Sequence, residues 1–111
     1  RMICPFPAGG GTDFIARLAA KHLSDRLGQQ VYVENRGGAN GAIGLQALMQ
    51  SDPDGYTIGA ISDGPIVANP ALYEKLAYQP LRDFIPVAMM IRYPSMLIAH
   101  PAVGVFLDCQ S

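Results

Sequence analysis

Apolar and polar positions along this chain fall into short blocks whose period switches between continuous apolar runs and a helical spacing of about 3.6 residues. Met2 to Pro5 is apolar throughout and has the length of a buried strand. From Thr12 the apolar positions are Ile15, Leu18, Ala19, His22, Leu23 and Leu27, which predicts a helix with that stripe facing the core and His22 on its boundary. Gly28 follows and suits a left-handed residue just past a helix end. Val31, Tyr32 and Val33 are β-branched and aromatic and predict a second strand. A second helical pattern runs through Ile43, Ala47 and Leu48 to Met49. Asp52-Pro53-Asp54-Gly55 has the residues of a type I turn, and Tyr56 to Ile61 then reads as a third strand. Gly64-Pro65 leads toward a helical piece around Ala68 to Leu76. Beyond Tyr78-Gln79-Pro80, Phe84 to Ile91 and Ser95 to Ala99 read as closing strands divided by Tyr93-Pro94. Pro101 to Gly104 reads as a hinge or linker, and the residues after it as a poorly ordered end.

Strands that alternate with helices imply an α/β fold with a mainly parallel sheet, because parallel neighbours need crossover connections and those crossovers are right-handed. All three strand-to-helix loops then leave from the carboxyl ends of the strands. Each carries glycine: Pro5 to Asp13, Asn35 to Gly41, and Ser62 to Pro65. They are therefore expected along one sheet edge, where open α/β sheets bind their ligands.

Composition narrows what those loops meet. With 111 residues, half of them apolar, and a net charge of −1, the chain has material for one modest core and one domain. It has no basic block interleaved with aromatics, which argues against a nucleic-acid partner. No apolar run approaches the roughly 20 residues needed to cross a bilayer, and no signal-peptide pattern precedes Arg1, so the sequence reads as cytosolic or as the mature form of an exported chain. Cys4 and Cys109 have neither metal-ligand nor disulfide-framework spacing, and Cys4 reads as a small core residue. Neither a metal nor a cofactor is expected.

The run Gly9-Gly10-Gly11-Thr12-Asp13 opens the first helix. Three glycines let the backbone approach a ligand and adopt positive φ, while the first helical N–H groups point outward as a socket for an anion. A P-loop would need a lysine followed by Ser or Thr, and here an aspartate stands instead. Gly38, Gly41 and Gly44 miss the dinucleotide spacing. Asp13 has two readings: a first-turn acid that favours the helix dipole and pairs with Arg17, or an acceptor for a ligand amino or hydroxyl group. Arg36, the only cation in the three loops, reads as solvated rather than as a carboxylate clamp. Ala60-Ile61-Ser62-Asp63-Gly64 approaches a hydrolase nucleophile elbow, with Asp83 and His100 following in triad order, although Pro65 removes an N–H from that turn. A small serine hydrolase built on Ser62 is the enzyme alternative, and a stand-alone ligand sensor or interaction module is a third.

Taken together, Pro5 to Asp13 with Ala16-Arg17, Leu27-Gly28-Gln29, Val33-Glu34-Asn35-Arg36, Gly41-Ala42-Ile43-Gly44, Asp52 to Thr57, Asn69-Pro70-Ala71-Leu72-Tyr73 and Asp83 to Val87 resemble the substrate-binding proteins of tripartite tricarboxylate transporters, the Bug family, in order and spacing. The resemblance covers residues 1 to 101 and implies a bacterial periplasmic receptor rather than an enzyme. Its two α/β lobes close on a small carboxylate or amino-acid-like solute and signal to membrane transporter subunits. By the same resemblance this chain is an incomplete first domain of a type II periplasmic-binding-protein fold, a three-layer lobe. The implied ligand residues are Phe6, Ala8, Gly9, Gly10 and Asp13 in the first loop, with Gly41, Ser62 and Asp63 in the other two. Residues 102 to 111 depart from the family pattern and read as a non-matching tail or truncated hinge. Asp63 weakens a citrate-like specificity, since a second acid repels a dianion. A lobe without its partner is further expected to expose apolar surface that favours a homodimer.

Overall fold

The computed structural model describes residues 1–96 together with 98, 100 and 102. Part of the second expected closing strand, the rest of the hinge and Cys109 lie outside the described residues. Three short strands, β1 (Met2–Cys4), β2 (Val33–Asn35) and β3 (Ile58–Gly59), form a parallel sheet in the order β2-β1-β3. Helix α1 (Gly11–Leu27) connects β1 to β2, and a 3-10 turn at Ala39–Gly41 leads into α2 (Ala42–Met49) before β3. After β3 a wide helical turn, Gly64–Ala68, passes directly into α3 (Asn69–Leu72), and α4 (Pro80–Asp83) follows. The α/β class and the parallel sheet are as the sequence predicts.

β1 is central and fully buried because every one of its residues is apolar. Side chains alternate along a strand. Met2 and Cys4 meet Ala16 and Ala20 of α1 and Ala60 on one face. Gly59, the register partner of Ile3, lies against Leu48 of α2, so that α2 covers the opposite face. Two crossovers running in opposite directions across β1 place their helices on opposite faces when both are right-handed, which completes the three layers.

Several expected elements are shifted. The buried face of α1 is Asp13, Ala16 and Ala20, whereas Leu18, His22 and Leu27 are exposed. Small side chains let the helix approach β1 closely, which larger leucines on the same face would prevent. β2 begins two residues later than its β-branched run, since the Val31 N–H is donated to Ser24 Oγ at 2.8 Å. β3 is shorter than Tyr56 to Ile61. The expected type I turn is an open bend in which Asp54 Oδ1 accepts from the Tyr56 N–H and Gly55 has φ +83°. The third helical region starts earlier and ends earlier than expected. Phe84 to Met96 contains no strand: the backbone is extended at Phe84, but nothing ladders with it.

Candidate ligand-binding site

Loops leave the carboxyl ends of β1, β2 and β3 along one edge of the sheet, the edge at which open α/β sheets bind ligands. The first loop, Pro5 to Gly10, ends in the uncapped start of α1. Gly10 has φ −80° and ψ 169° with no side-chain cap, and Gly9 has φ +88°. Helix geometry leaves the N–H groups of Gly10, Gly11 and Thr12 without intrahelical acceptors. Ala8, Gly9, Gly10 and Gly11 are exposed, and Phe6 is half-buried against the α1 side of the core.

Asp13 organises this loop from behind. It is buried at 3% exposure, and its Oδ2 accepts from the Gly9 N–H and Arg17 Nε, both at 2.9 Å. Its Oδ1 accepts from Asn35 Nδ2 at 2.8 Å, and the same amide group donates to the Phe6 carbonyl at 3.0 Å. Arg17 Nη2 closes the circuit on Asn35 Oδ1 at 3.0 Å. The Arg17 guanidinium, then the Gly9 N–H, then Asn35 pull the Asp13 carboxyl down to about 2. The pair with Arg17 that the first-turn reading of Asp13 expects is present. Its carboxylate points into the protein, and the Gly9 N–H is spent on it.

The second and third loops are locked together. Gly41 is buried with φ +85°, its N–H donates to the Gly38 carbonyl at 3.0 Å, and a Cβ there would lie 2.5 Å from Pro65 Cγ. Gly41, one of the residues expected at the ligand surface, packs closely against Pro65 and Pro5 and so also spaces the second and third loops. Asn40 has φ +49° and donates through Nδ2 to Asn69 Oδ1 at 2.7 Å. Arg36 pairs with Glu34 at 2.5 Å and holds that carboxyl below its usual range, so its charge is neutralised locally. Gly37 approaches Pro7 of the first loop. The three loops therefore converge along one edge, as the strand-helix alternation requires.

Ser62 is half-buried and Asp63 is exposed on the third loop, where Asp63 Oδ1 accepts from the Tyr93 hydroxyl at 2.9 Å. That bond raises the Tyr93 phenol above its usual value. Burial raises the Cys4 thiol, which lies beneath the first loop. Asn35, Asn40, Asn69 and Tyr78 were not singled out from sequence as site builders. Asparagine beside glycine at Asn40-Gly41 was the available signal, since asparagine tolerates the left-handed region. Among the described residues no cluster of three metal-ligating side chains occurs, and no helix is long and apolar enough to cross a membrane.

Residues 15–105 match the tripartite tricarboxylate transporter family receptor, TctC. This chain belongs to that receptor family. Protein BugT of Bordetella pertussis is 43% identical over 102 residues, covering 91% of this chain and 31% of that protein. A solved periplasmic transporter superimposes with a TM-score of 0.77 at 46% identity, over 79% of this chain and 30% of that one. MatC of Rhodopseudomonas palustris, solved with bound malate, gives a TM-score of 0.74 at 38% identity, over 80% of this chain and 31% of that one. The chain spans about three-tenths of the length of the relatives it matches. Membership in a receptor family removes the serine-hydrolase reading. The geometry agrees: Asp83 is held by the Gln79 N–H and Arg82, and His100 Nδ1 accepts from the Ala102 N–H, so neither is arranged as a triad partner for Ser62.

Proposed function

We propose that residues 1 to 101 form the first lobe of a periplasmic receptor and supply one wall of a site for a small carboxylate, the other wall coming from a second lobe. The observation that carries this reading is the uncapped first turn of α1, framed by an exposed glycine loop that Asp13 holds in place. Free N–H groups and the positive end of a 17-residue helix favour an anion without any cationic side chain. Ala8, Gly10, Gly11 and Thr12 contribute backbone N–H groups to one carboxylate, and Phe6 shapes the apolar side of the mouth. Ser62 and Asp63 lie at the same sheet edge and meet the distal end of the solute. The Asp63 carboxylate favours a hydroxyl or amino group there over a second carboxylate. Malate, the solute in MatC, has a hydroxyl that suits Asp63 and two carboxylates, of which the second is left to the wall from the other lobe. In the complete receptor, closure of the lobes on the solute is what membrane transporter subunits recognise.

Gly10→Asp tests the anion site directly. Gly10 has an extended backbone, and an added Cβ would meet only the Pro7 carbonyl at 3.6 Å, so an aspartate fits and caps α1 in place of the ligand. The variant is expected to melt slightly higher, by roughly the few tenths of a kcal/mol that separate aspartate from glycine as a cap. It is also expected to lose malate-induced amide shifts at Gly10 to Asp13 in NMR titrations that the parent chain shows. Equal malate responses in the two proteins would remove the helix end from the site.

A further inference from the structure

The second and third loops are joined by a buried polar unit. Asn69 opens α3 and is fully buried. It faces Asn40 with both ends of its amide, accepting from Asn40 Nδ2 at 2.7 Å and donating to the Asn40 carbonyl at 3.1 Å. It also donates to the Tyr78 hydroxyl at 3.1 Å, and that hydroxyl donates to the Pro65 carbonyl at 2.6 Å. Tyr78 itself is 2% exposed. Every member is satisfied, in surroundings where an unpaired polar group is costly. The unit therefore grips two loops at once: Asn40 stands before α2 in a left-handed conformation, and Pro65 stands in the turn after Ser62 and Asp63. A hydrophobic cluster would hold these segments together without fixing their register, whereas paired amides fix both distance and orientation.

We propose that Asn69 and Tyr78 are positioning residues that set the second glycine loop against the Ser62-Asp63 loop, and so set the width of the ligand crevice. This rests on the carboxylate-receptor reading for its functional consequence, but the loop-setting role can be measured without ligand. Tyr78→Phe removes a single hydroxyl and leaves the ring that packs against Phe84. Asn69→Asp keeps the acceptor for Asn40 Nδ2 and loses both donated bonds. Leu81→Ala, at a side chain 99% exposed, is the control.

The full 111-residue chain and its variants are compared at a temperature where the amide spectrum shows each folded. Two quantities are read: malate affinity by NMR titration and hydrogen exchange at Gly41, whose N–H bonds Gly38. Tyr78→Phe is expected to weaken malate binding about tenfold and to speed Gly41 exchange about tenfold, the scale of one lost buried hydrogen bond. Asn69→Asp should do more, and Leu81→Ala should change neither. If Asn69→Asp does not fold, Tyr78→Phe carries the test. A folded Tyr78→Phe with unchanged Gly41 exchange overturns the positioning role. If the parent chain shows no malate response, the receptor reading fails on its own, and faster Gly41 exchange in the variants still supports the loop-setting role.

Discussion

At the scale of single residues, Asp13 shows how one buried acid fixes a glycine loop. Its carboxylate collects the Gly9 N–H, Arg17 and Asn35, so removing it releases the first glycine loop. The folded carboxyl titrates at about 2, below the ordinary value of 3.8. A lowered carboxyl stabilises the fold fully above the unfolded value and ceases to do so as pH falls through the folded one. Urea unfolding of the parent chain and Asp13→Asn should therefore differ by a constant amount from neutrality down to about pH 4, and the two should converge toward pH 2. A gap that widens on acidification would contradict the role. Arg36 teaches the converse: a cation in a glycine loop looks available in sequence, but Glu34, two residues earlier, engages it.

Elements were legible where one local signal governs them. α1 ends at Gly28 with φ 64°, and it begins beside the glycine run, both as its residues demand. β1 lies where four apolar residues fall together. Boundaries failed where a partner decides: Ser24 takes the Val31 N–H and delays β2, and Phe84 to Ile91 has strand-like residues with no neighbour to ladder against. The site was legible as three loops on one edge, because chain order alone brings them there. The Asn40, Asn69 and Tyr78 contacts were not, since they join residues 9 to 29 positions apart. Element packing makes its own prediction at α2. A Cβ on Gly44 would stand 2.6 Å from Pro5 Cβ, 2.7 Å from Pro5 Cα and 2.8 Å from the Arg36 carbonyl. Gly44→Ala should cost about 1–3 kcal/mol by overpacking. Gly11→Ala, with nothing within 4 Å of its added Cβ, should cost far less. Thermal melting of the pair checks the contrast.

As a whole the molecule is elongated, with a radius of gyration of 16.7 Å against about 13 Å for a compact chain of this length. An apolar run outside the sheet is exposed: Ile85 and Val87 are each 89% exposed and Met96 is 86% exposed. An exposed run of this kind predicts concentration-dependent self-association of the 111-residue chain through a second copy. Light scattering over a dilution series should show mass rising with concentration, and a monomer throughout would argue against it. The relatives are about three times longer than this chain.

The same division has a mutational side. Every fully buried side chain among the described residues lies at or before Tyr78. Close packing therefore constrains the side chains up to Tyr78, while the described residues after it meet no fully packed interior. One chain thus has two tolerances for a change of side-chain volume, and Tyr78, with its hydroxyl on Pro65, stands at the border between them.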